Sequence, residues 1–128
     1  MLTTLERNKK NALGFYDLAF NQSRPVEAVR EFIGDVYVQH NPSMGDGKKS
    51  FIDHFTQLAE DNPDKKIHFK RIVAEGDLVV LHYHQELPGS PGFAGIDIFR
   101  FDENGKIVEH WDVLQAVPKR SANRNSMF

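Results

Sequence analysis

Three residues able to move protons fall in one predicted hairpin: Asp97 in "GIDIFRFD", and His110 and Asp112 in "KIVEHWDV". A carboxyl withdrawn from water is a usable general acid or base, because desolvation lifts its pKa toward neutrality. Two carboxyls facing one dry space cannot both ionise cheaply, so one of them titrates high. A second group, His82 and His84 in "LHYHQ", stands at i and i+2 and so shares one face of a strand. That spacing recurs in metal sites built on sheets, where His40 or Asp97 could supply a third ligand. The alternatives are two histidines lining a polar pocket without metal, or two histidines on an outer face.

The elements that must position these residues can be read from periodicity. Leu2, Leu5, Ala12, Phe15, Tyr16, Ala19 and Phe20 recur at three- and four-residue steps, which predicts an amphipathic helix over 3–21. Pro25 opens a second helix with Val26, Val29, Phe32 and Ile33 as its apolar stripe. "DVYVQH" (35–40) reads as a short strand and "NPSMGDG" as a loop. A third helix over about 48–60 buries Phe51, Ile52, Phe55 and Leu58. From Lys66 the period becomes two, and "KIHFKRIVAEG", "DLVVLHYHQEL", "GFAGIDIFRFD" and "KIVEHWDVLQAV" read as four strands. Short turns at 75–77 and 102–106, the latter with Asn104-Gly105, imply antiparallel hairpins. The order predicts an α+β fold with helices against a curved antiparallel sheet, and one domain over 1–128 with an irregular arm at 118–128.

Composition narrows the partners. Sixteen basic against eighteen acidic residues, with no basic block, argue against nucleic acid. The absence of cysteine removes thiol chemistry and Cys-ligated zinc. "MLTTLERNKKNALGF" carries charges where a signal peptide needs an apolar run, and "LVVL" (78–81) is far too short to span a membrane. The expectation is a cytoplasmic protein with no membrane partner.

Which way the hairpin faces is not decided by pattern. Asp97 shares a side with Gly95, Phe99 and Phe101; His110 and Asp112 share one with Val108 and Leu114. The other parity carries Ile96, Ile98 and Arg100, and Ile107, Glu109, Trp111 and Val113. Both sides are partly apolar, and a one-residue slip reverses the assignment. Asp112 could instead pair with His110 or Arg100 in a solvated ion pair. Asn41 in "HNP" could hold a carbonyl or a water, or cap its own loop as an Asx-turn. Trp111, of opposite parity to Asp112, reads as packing or subunit surface.

"DIFRFDENGKIVEHWDV", preceded by three helices and "YVQHNPSMGDGKKSFIDHF", resembles the SnoaL-like polyketide cyclases of the nuclear-transport-factor-like superfamily, whose fold ketosteroid isomerases and scytalone dehydratase share. The resemblance runs from the first helix to about Gln115. It implies a cystatin-like α+β barrel: a cone-shaped, curved antiparallel sheet whose pocket is closed by three N-terminal helices. Asp97, Phe99, His110, Asp112 and Leu114 would line that pocket. Asp112 falls where the cyclases keep their acid/base aspartate, with Asp97 as its partner at the position of the isomerases' protonated aspartic acid. Tyr16, His40, Asn41, His82, His84 and His110 would orient substrate. The isomerase base is an aspartate before proline; Asn41 stands there and cannot accept a proton, so ketosteroid isomerisation is not expected. The resemblance further implies no metal, no organic cofactor and a homodimer. The function expected is a cofactor-free acid/base enzyme of aldol cyclase, isomerase or dehydratase type acting on a small apolar carbonyl compound. The alternative is a binding or dimeric interaction module of the same fold without catalysis.

Overall fold

The computed structural model describes residues 1–128. Helix α1, Thr4–Tyr16, begins in a capping box: Thr3 Oγ1 accepts from the Glu6 N–H, and Glu6 accepts from the Thr3 N–H. The single helix expected over 3–21 is instead two pieces, because Asp17–Asn21 widens into a π-helical turn. Asn21 and Gln22 both donate to the Asp17 carboxylate, and Asn21 Oδ1 accepts the Ile67 N–H at 2.8 Å. These bonds fix the widened turn to the sheet while Phe15, Tyr16, Ala19 and Phe20 all stay buried. Helix α2, Pro25–Phe32, follows. It buries Pro25, Ala28 and Val29; Val26, expected in the stripe, is exposed, and Ile33 already belongs to a strand.

Strand β1 is Ile33–Gln39, and helix α3 is Gly47–Asp61, capped by Asp46. Four strands complete the chain: β2 Lys66–Glu75, β3 Leu78–Glu86, β4 Phe93–Phe101 and β5 Ile107–Ala116. No helix or strand follows Ala116. The sheet order is β1-β5-β4-β3-β2. Three hairpins join β2 to β5 antiparallel, as expected, but β1 lies parallel to β5. The sheet is therefore mixed rather than antiparallel, and it is open between β1 and β2 rather than closed as a barrel. Three hairpin reversals set β5 antiparallel to β2, so β1, being parallel to β5, runs antiparallel to β2, and α3 makes the connection between them.

The β4–β5 hairpin contains an irregularity. Phe101 pairs with Ile107 but Arg100 pairs with Glu109, so Val108 is an extra residue, a β-bulge. Ile107 and Val108 are consequently both buried. One core runs between the helices and the concave face, through Phe15, Phe20, Phe51, Leu81, Phe99 and Ile107. Its aromatic rings pack in contact pairs, such as Phe15 against Phe51 at 4.9 Å between centroids.

Candidate active site

The register fixes the site. Asp97 and Asp112 are directly opposed on β4 and β5, and Phe99 opposes His110. On the far side of β5, Gln39 of β1 is paired with His110. All five side chains therefore belong to the concave face. Asp97 is fully buried, with no exposed surface, and His110 is 2 % exposed. The Asp112 side chain is 7 % exposed and reaches the open space above them.

Asp97 Oδ2 accepts a short hydrogen bond from the Tyr16 hydroxyl of α1 and lies 2.7 Å from His110 Nε2. His110 Nε2 is also 3.1 Å from the Tyr16 hydroxyl and 3.8 Å from Asp112 Oδ2. Asp97 Oδ1 has no hydrogen-bond partner. Burial first, and then the Asp97 charge, push the Asp112 carboxyl above the ordinary aspartate range; His110, the Asn41 amide and His54 pull it back in part. Burial likewise holds the Tyr16, Tyr37 and Tyr83 hydroxyls in their protonated form, with Asp97 reinforcing each.

Above this cluster lies a cavity of about 230 Å3, walled by Phe20, Phe51, Phe55, Leu58 and Ile67 among other apolar groups. Asp112 is the only carboxylate lining it, and no lysine or arginine faces it. Tyr16, Asn41, His110 and Leu114, all expected to line a pocket, do so. Asn41 serves two ends: its Oδ1 accepts the Ser43 N–H at 2.8 Å in an Asx-turn, while its amide lies beside Asp112.

Other expected residues lie elsewhere. Asp97 and Phe99 sit behind the cavity wall rather than on it, with Phe99 packed against Phe15, Tyr16 and His110. His40 is outside, stacked on Trp111 at 4.8 Å and 2.7 Å from Glu109, which also accepts from Arg100. His82 and His84 do share one face, but it is the convex one. There His84 opposes His68 across the ladder, His82 contacts Arg71, and both face the Phe128 ring. The reason is that Val79, Leu81 and Tyr83 hold the buried parity of β3. The structure thus does not bring the His82/His84 pair together with Asp97 as a ligand set.

Asp97, His110 and Asp112 each offer one ligand atom, all within 4.8 Å of one another. Both His110 ring nitrogens are already engaged, Nδ1 by Gln39 and Nε2 by Asp97, so a cation there would have to displace one of those contacts. Among the cavity residues that escaped the sequence reading are His54 and Gln39. His54 of α3 lines the cavity, and burial lowers its pKa against the opposing pull of Asp112. Its spacing of three from Phe51 and four from Leu58 was the available signal. Gln39 was equally legible, two residues beyond the inward-facing Tyr37.

Residues 12–110 match the family model described as the SnoaL-like domain. Among solved structures, a candidate polyketide cyclase from Acidithiobacillus ferrooxidans superposes with a TM-score of 0.70 at 19% identity, over 88% of this chain and 91% of that one. A candidate ketosteroid isomerase from Kribbella flavida gives 0.72 at 13% identity, over 97% and 89%. Wild-type IdmH, a candidate polyketide cyclase from Streptomyces antibioticus, gives 0.68 at 22% identity, over 84% and 91%. No curated protein matches the chain. No helix is long and apolar enough to cross a membrane.

Proposed function

Because the chain belongs to the SnoaL-like domain family, we propose that it is an acid/base enzyme acting on a small apolar carbonyl compound, with Asp112 as the catalytic residue and no cofactor in its chemistry. The observation that carries this reading is a single carboxyl, with its pKa raised by burial, on the wall of a largely apolar cavity that no lysine or arginine faces. A structural carboxylate in such a place would be expected to have a cationic partner at hydrogen-bond distance. Asp112 has only His110 Nε2, at 3.8 Å.

The reaction follows from the groups present. The ionised Asp112 takes a proton from the carbon next to the substrate carbonyl. The C–H electron pair moves into the C–C bond and the carbonyl π pair moves to oxygen, giving an enolate. The Asn41 amide and His54 are among the polar groups of the cavity able to hold that oxygen. Protonated Asp112 then returns its proton to carbon or oxygen at a new position, which accommodates isomerisation, dehydration or aldol closure. Asp97 does not touch substrate in this scheme; its buried charge raises the basicity of Asp112 from behind.

The test needs no natural substrate. Small aromatic ketones such as 1-indanone and 1-tetralone are incubated with the protein in D2O, and α-hydrogen exchange is followed by NMR. Exchange above the buffer rate that is lost in Asp112→Asn supports the reading. Binding of these ketones without any exchange would overturn it and favour a carrier or binding module, for which the tight Tyr16–Asp97–His110 bonding would then be purely structural.

Two further parts of the proposal concern the protein's setting: it acts in the cytoplasm and as a homodimer. Val36, Val38, Val73, Ile96 and Val113 are exposed on the convex face, Val113 at 77 %. At about 25 cal/mol per Å2, covering ~400 Å2 of such surface contributes roughly 10 kcal/mol before association costs. Sedimentation of the parent as a dimer and of Val113→Lys as a monomer is the expected result.

A further inference from the structure

The hydrogen bonds behind the cavity fix a protonation pattern. The backbone N–H of Asn41 donates to Gln39 Oε1 at 3.0 Å. A backbone N–H can only donate, so this end of the Gln39 amide is its oxygen and not its nitrogen. The other end agrees: Gln39 Nε2 lies 3.4 Å from the Tyr37 hydroxyl and 3.8 Å from Met44 Sδ, both acceptors. Gln39 Oε1 is also 2.7 Å from His110 Nδ1. An amide oxygen carries only lone pairs, so Nδ1 must carry a hydrogen.

The second ring nitrogen is thereby constrained. With Nδ1–H fixed, a neutral His110 presents a bare lone pair at Nε2. That atom sits 2.7 Å from Asp97 Oδ2, and two facing lone pairs would repel at this distance. One proton must lie between them, carried either by Asp97 or by an imidazolium. The titratable groups facing His110 are Tyr16 from α1, Tyr37 from β1, Asp97 from β4 and Asp112 on its own strand. The tyrosine hydroxyls are held protonated, so Asp97 and Asp112 are the two carboxylates available to this one proton.

We propose that Gln39 is a positioning residue that fixes the His110 tautomer, making Nε2 the exchanging nitrogen of a buried proton relay between Asp97 and Asp112. In the relay step, the imidazolium N–H bond at Nε2 breaks and an O–H bond forms on Asp112. His110 is left neutral with Nδ1–H still on Gln39 and its Nε2 lone pair facing the Asp97 carboxylate, which keeps the Tyr16 hydrogen bond; that repulsive, short-lived state is what draws a proton back to Nε2. The net charge of the three groups is unchanged. The 3.8 Å gap from Nε2 to Asp112 Oδ2 is closed by movement of the Asp112 side chain, the one member that reaches the cavity. The reverse step discharges a proton taken from substrate. The relay deepens the acid/base role of Asp112 and rests on it for its purpose, but its structural core can be tested without turnover.

The experiment is a long-range 1H–15N correlation on 15N-histidine-labelled protein, with His110 assigned by the loss of its signals in His110→Gln. The expected wild-type spectrum keeps Nδ1 protonated across the pH range in which the protein is folded, with all change confined to Nε2. Gln39→Leu removes the acceptor, and the Nδ1–H signature should be lost in favour of Nε2–H donated to Asp97. Gln39→Glu, whose carboxylate can accept the same N–H, should retain the wild-type tautomer. A bare Nδ1 in the wild type overturns the proposal, as does an unchanged tautomer in Gln39→Leu. Should Gln39→Leu fail to fold, the wild-type spectrum and Gln39→Glu still decide it. Ketone exchange with the wrong tautomer would overturn the relay alone; the right tautomer without exchange would overturn the enzymatic reading alone.

Discussion

The two aspartates that oppose each other on β4 and β5 should respond oppositely to removal, and Asp97→Ala is the sharper perturbation. Asp97 has no exposed surface, and one of its oxygens serves two partners: the Tyr16 hydroxyl and His110 Nε2. Truncation leaves both in a dry environment without an acceptor. Each stranded group costs about 1–3 kcal/mol, and breaking a buried pair from one side typically costs about 3–5 kcal/mol in total. A relief term works the other way, because Asp97 Oδ1 is itself unpartnered, so the lower half of that range is expected. Urea denaturation at pH 7 of the parent and Asp97→Ala, with equal slopes, measures the difference. Asp97→Asn should fall between them, since its amide can serve one partner but not both. A loss below about 1 kcal/mol in Asp97→Ala would refute the reasoning. It would mean that the Tyr16–Asp97–His110 cluster contributes nothing net and that water reaches these groups.

Asp112→Asn should leave stability at pH 7 equal or higher, because the folded pKa is raised. The contribution of the native carboxyl is fully present below the unfolded value of about 3.9 and is lost as pH rises through the folded value, so the advantage of the variant should shrink as denaturation is repeated toward pH 4. Gly95→Ala would place a methyl 2.3 Å from the Tyr83 ring, whose hydroxyl end crowds this glycine. Overpacking should cost about 1–3 kcal/mol, and because Tyr83 lines the cavity it should also weaken ketone binding seen by NMR titration. Lys65 is buried, donates only to Ser23 Oγ at 2.6 Å, lies over the Phe20 ring, and has its pKa lowered by burial. Lys65→Met should therefore be neutral or stabilising at pH 7. Because the unfolded lysine holds its proton to higher pH, the parent should gain stability on going alkaline, a gain the variant lacks in the same denaturation series.

Most elements could be read from the sequence because their signals are local. The period-two runs after Lys66, the turn at Asn104-Gly105 and the Pro25 helix start all stand where expected. The π-helical turn at Asp17–Asn21 could not be read, since it depends on Asn21 reaching the Ile67 N–H far along the chain. The parallel β1 was hidden for a related reason: strand direction follows from how α3 spans the sheet. For the site, Tyr16, Asn41, His110, Asp112 and Leu114 were identified through family resemblance rather than periodicity. His82 and His84 were legible as a pair on one face. Their direction was also available, because Val79, Leu81 and Tyr83 form the more apolar parity and so claim the interior. Resemblance placed Asp97 on the cavity wall, whereas its depth depends on Tyr16 and His110 closing over it.

The Val108 bulge gives the hairpin something like a reading frame. Counted straight from the Phe101–Ile107 pair, a regular ladder would set Trp111, not Asp112, opposite Asp97, and His110 would point to the convex side with Ile98 as its neighbour. One supernumerary residue shifts the frame, and the ladder beyond it pairs Asp97 with Asp112 and Phe99 with His110. The identity of Val108 matters less here than its presence as a count of one. The chemistry of this sheet is in that sense encoded by spacing. Deleting Val108 would leave every acid and base in the sequence and translate His110 and Asp112 to the wrong side.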